Sequence, residues 1–432
     1  MSESDFSLPE GTHTVVMGLG DANGIMRGKR IPASHWDNIC QSGNAYSIAL
    51  FAIDSNCDVW DTPYVNFENG YPDFHMFPLT KPVASPWEDG VAYCMARGEG
   101  MDHQPVPLDP RNALVKQVER AATMGYTVNT GCELEFYLLD PETMQPRDKG
   151  IDVYGLTRAA EMEHVLGPIR QHINACGIPL EQSNPEYAAG QVEVNIRYGE
   201  ALEAADRVIM FKSLVKQLAV EKGYHATFMS KPFFEESGSG FHVHHSLWKD
   251  GQNAFANGGE LSSLGMNYLG GLQSRMAEMA LCSATTPNAY RRRAPYTFCP
   301  INNAWGGDNR TVGLRVITGG GVSATRIEKR DGSADCNPYL LLAAEICAGL
   351  DGIEQGLQPS ERHDGNAYES ETAEAIPSDL PTAVELARGS EWMKNLMGEH
   401  LHEFQIQMAD REIDFFNQQV TQVEKDRYMG TM

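Results

Sequence analysis

The chain lacks paired cysteines. Its nine cysteines occur singly, with no C-x-x-C spacing, which argues against a disulfide framework and against a thiolate zinc site. It has no apolar run long enough to cross a bilayer. The opening stretch, "MSESDFSLPEGTH", has no basic region leading into an apolar one. No secretory leader is expected there, and the cytoplasm is the expected location. Positive charge is scarce: 34 Lys and Arg stand against 58 Asp and Glu, a formal net charge of −24. That balance disfavours nucleic acid and anionic membranes as partners. A phosphate-loop reading of Gly24-x-x-x-Gly28-Lys29 fails, because the spacing is one residue short and Arg30 stands where Ser or Thr is needed. Internal repeats and low-complexity tracts are also missing.

What is present is an ordinary globular composition, 42% apolar and 21% charged over 432 residues, a length that predicts two domains. Residues 13–105 are rich in strand and turn signals, with a hairpin expected to turn at Asp21–Gly24. "LDPRNALVKQVERAATMGY" predicts a helix capped by Asp109, with Pro110 in its first turn and Gly125 at its exit. The polar, Pro-rich "HQPVPLDP" before it places a boundary near residue 107, giving domains 1–107 and 108–432. Downstream, "PYLLLAAEICAGLDGI" and "EWMKNLMGEHLHEFQIQMADREIDFFNQQV" predict helices, and residues 356–385 predict a surface loop.

Several stretches share an unusual feature. "CELEFYLL" alternates with period two, so Glu133 and Glu135 share one strand face. At ~6 Å and an effective dielectric of about 20, their repulsion is roughly 3 kcal/mol. Such a face is either wet or holds something positive. "GQVEVNIRY" puts Glu193 on a polar face with Gln191, Asn195 and Arg197, and Glu186 lies in the turn before it. "SGSGFHVHHSLW" puts His242, His244 and Ser246 on one face, after Gly238 and Gly240, where the backbone can approach a ligand. "ATRIEKR" aligns Arg326, Glu328 and Arg330, readable as a salt-bridge ladder or as a metal ligand flanked by anion binders. Arg291 and Arg293 are expected at the surface, and Arg310 in a loop able to reach a phosphate. Glu133, Glu135, Glu186, Glu193, Glu328 and His242 form a hard, oxygen-dominated ligand set. It favours Mg²⁺ or Mn²⁺, and it is too large for one ion, implying roughly two to three.

"ELEFYLL", "GQVEV", "GSGFHVHHSLW", "NRTVGLR" and "RIEKR…NPYL" follow one another as the motifs of the glutamine synthetase superfamily do. The resemblance covers nearly the whole chain. "DANGIMRGKRIPASHW", "LFAIDSNCDVW" and "HATFMSKPFFEESGSGFHVHHS" are similar to its γ-glutamylputrescine synthetase branch of γ-glutamyl-amine ligases. The resemblance implies an α+β fold with a small N-terminal β-grasp domain and a large catalytic domain, assembled as a dodecamer of two hexameric rings. It implies glutamate, ATP and a primary amine as substrates, putrescine or a small alkylamine among the amines. Glu135, Glu186 and Glu193 match one metal site, and Glu133, His242 and Glu328 another. Gly238, Arg292 and Arg330 match glutamate-binding positions; Glu181, His244, Ser246 and Arg315 match ATP contacts. Arg310 matches the arginine that stabilises the transferring phosphoryl group. Asp54 matches the residue that deprotonates the incoming amine across the subunit interface. Phe298 replaces the flap glutamate of glutamine-forming members, "SNCD" follows Asp54, and Ser237 precedes the Gly-Ser-Gly turn. These differences point away from ammonia as the nitrogen donor. Glutamine synthesis from ammonia and a catalytically silent scaffold are the alternatives.

Overall fold

The computed structural model describes residues 6–147 and 153–431. The first sheet is built from β1 (Thr14–Gly20), β2 (Met26–Pro32), β3 (Asn44–Ser47), β4 (Asp73–Pro78), β5 (Val83–Ala84) and β6 (Val91–Gly100), with the short helix α1 (Trp36–Ser42) between β2 and β3. The path is β2-β1-β6-β4-β3, with β5 on β6. Among the described strands of this sheet, only β1 and β6 run parallel. The expected hairpin joins β1 to β2. Its turn forms because the buried Asp21 carboxylate accepts the N–H groups of Asn23 and Ile25 and a 2.9 Å bond from Arg27. Residues of this sheet and its flanks form one apolar core, which Phe404 joins from far along the chain.

The second unit starts with α2 (Arg111–Thr123). Asp109 does cap it, accepting the Arg111 N–H at 2.9 Å, and Gly125 supplies a φ of +85° beyond its end. Next come β7 (Thr127–Leu139), α3 (Leu156–Ala175), β8 (Leu180–Pro185), β9 (Gln191–Glu200), α4 (Ala201–Glu221), β10 (His225–Thr227) and β11 (Phe241–Lys249). Short strands β12 (Gln252–Asn253), β13 (Ala256–Asn257) and β14 (Glu260–Leu261) lead to α5 (Ser263–Arg275), α6 (Ala280–Ser283) and α7 (Pro287–Tyr290). Then β15 (Trp305–Gly307), β16 (Leu314–Ile317) and β17 (Arg326–Lys329) complete a sheet ordered β15-β16-β17-β11-β7-β9-β8, with β10 on β7 and β12 on β11. The apolar side of β7, with Leu134, Phe136 and Leu138, is buried in the main core with residues of α3 and α4. That leaves the polar side of β7, β9 and β11 facing the other way.

The chain closes with α8 (Pro338–Gln355), α9 (Leu380–Arg388), α10 (Glu391–Met397), α11 (Glu399–Asn417) and α12 (Gln422–Tyr428). Three expectations change. The run from Glu391 is two helices, because Gly398 breaks it at φ +81°. Residues 356–385 are mostly irregular, but their end is helical: Asp379 accepts the Thr382 N–H at 2.8 Å and starts α9. Arg293 is not a surface residue; it is buried, donates to Pro377 O at 2.7 Å and pairs with Asp331. No helix among the described residues is long and apolar enough to cross a membrane.

Candidate active site

Strand register decides which side chains meet. Glu133 of β7 sits opposite His242 of β11 on one side and Asn195 of β9 on the other. Glu135 sits opposite Glu193. His244 sits opposite Glu328 of β17, which in turn faces Arg315 of β16. Residues far apart in sequence thus form rows across one sheet face. The Glu133 carboxylate reaches His244 Nε2 at 2.9 Å and His242 Nδ1 at 3.5 Å. His242 Nδ1 lies 3.7 Å from Glu328. Two triads have ligand atoms within 4.8 Å of one another: Glu133, Glu193 and His242, and Glu133, His244 and Glu328. Glu135 instead accepts the Gly240 N–H at 2.7 Å, and Glu186 is bonded by Asn184 at 3.0 Å.

The electrostatics divide this face. Burial and then the neighbouring carboxylates Glu133, Glu135 and Glu186 push the Glu193 carboxyl up to about 9. Burial, and then Glu135, pushes Glu186 up to about 7. Burial opposes ionisation of Glu133 too, but hydrogen bonds from His242 and His244 hold it well below the usual range. Glu328 is held at about 2, against its burial, by the charges of Arg330, His244 and His242. The Glu135–Glu186–Glu193 side is therefore short of positive charge. Its all-oxygen donor set fits a hard divalent cation, which would replace mutual repulsion by coordination.

Arginines surround the acids. Arg330 and Arg315 both pair with Glu328, the latter at 2.9 Å, and Arg315 also holds Asp308. Arg292 is 5% exposed and makes no ion pair among the described residues. It donates to the carbonyls of Asp331 and Gly332, and its Nε has no partner. A buried guanidinium left with neutral acceptors fits an anionic ligand. The Gly-Ser-Gly turn is what lets it in: a Cβ on Gly238 would lie 2.5 Å from Arg292 Cγ. Arg310 stands exposed in the loop between β15 and β16. Behind the sheet, Lys329 is buried between Glu345 and Asp331, and His245 bonds Glu345 at 2.7 Å. This ionic layer anchors β11 and β17 from the side opposite the acids.

A cleft of about 360 Å³ adjoins the acidic face. It is lined by Glu133, Glu181, His244 and Ser246, and by Tyr198, Trp248 and Arg326. Arg326 is one of the anion binders that the alignment with Glu328 and Arg330 suggests, whereas Tyr198 and Trp248 carry no such expectation. Trp248 is within reach of the alternation rule, since it shares a strand face with Ser246. Arg326 Nε donates to His244 Nδ1 at 3.1 Å. Arg315 is not part of the cleft lining. Asp54 belongs to the first unit and is buried; its carboxylate accepts the N–H groups of Asn56 and Asp58 and the Trp60 indole. Phe298 is half exposed, and its carbonyl accepts from Arg330 at 3.4 Å.

Comparison with known proteins defines the class. The family described as glutamine synthetase, catalytic domain, matches residues 107–428, and the chain belongs to that family, whose members are ATP-dependent and use divalent metal ions. Among its relatives is a glutamate–isopropylamine ligase of a Pseudomonas species, 35% identical over 444 residues, covering 98% of this chain and 96% of the relative. Another is a γ-glutamylethanolamide synthetase of Streptomyces coelicolor, 34% identical, covering 97% and 93%. A solved GmaS–ADP complex is similar with a TM-score of 0.86 at 29% identity, over 98% of this chain and 97% of that one. The α+β fold is that of this family.

Proposed function

We propose that the protein joins the γ-carboxylate of glutamate to an organic primary amine, at the expense of ATP, through γ-glutamyl phosphate. The observation that carries this reading is the buried Arg292, which makes no ion pair among the described residues and packs on the Gly-Ser-Gly turn beside His242 of the acidic face. A carboxylate substrate fits that guanidinium, and the two relatives covering almost the whole chain are named for ligating glutamate to amines.

In this reading Arg292, Gly238 and Arg330 take glutamate, while Glu181, His244, Ser246 and Arg315 take ATP. The ring of Phe298 lies beside the incoming amine. Glu133, Glu135, Glu186, Glu193, His242 and Glu328 hold about two to three Mg²⁺ or Mn²⁺ ions. Bound there, the ions supply charge neutralisation for the phosphates. A γ-carboxylate oxygen attacks the terminal phosphorus and ADP leaves. Arg310 meets the charge on the phosphoryl group in transit. Asp54 of a neighbouring subunit takes a proton from the ammonium form of the amine, freeing its lone pair. The nitrogen attacks the acyl carbon, and phosphate leaves with the C–O bond electrons. The same reading divides the chain near residue 107, in keeping with the separate core of the first unit, and places twelve such subunits in two rings in the cytoplasm.

The test is phosphate release with Mg²⁺, ATP and glutamate across diamines, alkylamines, amino alcohols, aromatic amines and ammonia. At least one organic amine is expected to exceed ammonia in kcat/KM by roughly tenfold, the factor set by ~1.4 kcal/mol. Ammonia as the best nucleophile across that panel overturns the reading.

A further inference from the structure

The rings of Tyr187 and Phe298 come from segments 111 positions apart, yet their centroids are 6.2 Å apart and nearly parallel, at 28°. Both rings are exposed, Tyr187 at 46% and Phe298 at 47%. Each is tied to the acidic face through its own backbone. Tyr187 directly follows Glu186 in the turn between β8 and β9. Phe298 hangs from Arg330, which pairs with Glu328.

The backbone that carries the Phe298 ring is constrained. Its φ is +58°, a left-handed conformation rare for a bulky residue and retained where surrounding contacts impose it. Those contacts are present on both sides. Tyr296 packs on Tyr368 at 5.4 Å and donates to Glu369, and the Tyr368 hydroxyl donates to Cys299 O. The spacing of the Tyr187–Phe298 pair lies within the ~4.5–7 Å range of rings in direct contact. Nothing is sandwiched between them. They form one continuous aromatic wall at the rim of the acid cluster.

We infer that Tyr187 is a specificity-determining residue, which extends Phe298 into an apolar wall that receives the alkyl substituent of the amine and so favours short primary alkylamines. The inference rests on the proposed function. Wall contact gains with each methylene the substrate lays on it, roughly two- to fourfold in kcat/KM per group while the wall lasts. Ammonia has no substituent to lay there.

The experiment measures kcat/KM for ammonia, methylamine, ethylamine, propylamine and butylamine with the unmodified enzyme, Tyr187→Ala and Tyr187→Phe, alongside KM for glutamate. The unmodified enzyme is expected to gain along the series. Tyr187→Ala is expected to flatten that gain and lower the propylamine-to-ammonia ratio at least about fivefold, and Tyr187→Phe to restore it, because the ring face and not the hydroxyl makes the wall. A Tyr187→Ala variant whose rates fall equally for all amines, or whose ratio is unchanged, overturns the inference and leaves the ligase reading standing. An unmodified enzyme that uses ammonia best, or releases no phosphate with glutamate and any amine, overturns both.

Discussion

At the scale of the residue, charge is the organising quantity. Glu135 and Glu328 share a face but differ in surroundings: Glu135 sits opposite another carboxylate, Glu193, while Glu328 lies between Arg315 and Arg330. Glu135→Ala and Glu328→Ala should each lower phosphate release by orders of magnitude, since each removes a ligand from a different proposed ion. Wild-type turnover in both variants, assayed with metal titrated into EDTA-treated enzyme, would remove the metal assignment. Arg292 and Arg310 should separate kinetically. Arg292 is buried and built into the turn, so Arg292→Ala should mainly raise the KM for glutamate. Arg310 is exposed in its loop, and in the proposed reaction it meets charge only as that charge develops, so Arg310→Ala should mainly lower kcat. Steady-state kinetics showing the opposite split would reverse the two roles.

At the scale of the element, the acidic face depends on what braces it. Lys329, Glu345 and Asp331 form a buried ionic layer behind β11 and β17, and His245 is hydrogen-bonded to its Glu345. Removing one partner strands the others in the interior, a cost of about 3–5 kcal/mol. Glu345→Ala should therefore unfold at clearly lower urea concentration than the parent, and an unchanged midpoint would mean the layer is not a brace. The start of α2 adds a pH dependence. Burial pushes the capping Asp109 carboxyl up to about 7 from an ordinary 3.8. The folded chain thus binds this proton more tightly than the unfolded chain does. The stability it contributes is complete below the unfolded value and is lost as pH rises through the folded one. Asp109→Asn cannot ionise but keeps an oxygen for the Arg111 N–H. Its Tm relative to the parent should rise between about pH 5 and about pH 8. A constant difference across that range would contradict the shift.

At the scale of the whole molecule, the sheet gathers acids that repel one another, and a divalent ion should bind the folded chain far better than the unfolded one. Mg²⁺ or Mn²⁺ should raise Tm in proportion to the logarithm of its concentration above Kd, and EDTA should reverse it. Thermal shift that ignores metal would deny the site. The hairpin turn at Asp21 also ties the two units together, because Asn337 donates to the carbonyls of Asp21 and Ala22 at 3.1 Å. Asn337 starts α8 as well, accepting the Tyr339 N–H, so one side chain links the first unit to α8.

The sequence by itself determined the local elements and their faces. Period-two alternation in β7, β9 and β11 put Glu133, Glu135, Glu193, His242 and His244 on the polar sides, because adjacent side chains in a strand must point oppositely. Capping chemistry located the start of α2, and left unread the break at Gly398 and the start of α9, where one turn residue decides. Tertiary structure alone decided who faces whom. Register placed Glu133 between His242 and Asn195 and brought His244, read as an ATP contact, within 2.9 Å of Glu133. It buried Arg293 against Asp331 and stacked Tyr187 on Phe298. A strand's periodicity fixes the direction of a side chain, but its neighbours come from strands distant in sequence, such as Asn195 and His242 beside Glu133, and only the packed sheet sets their distances and hence their charge.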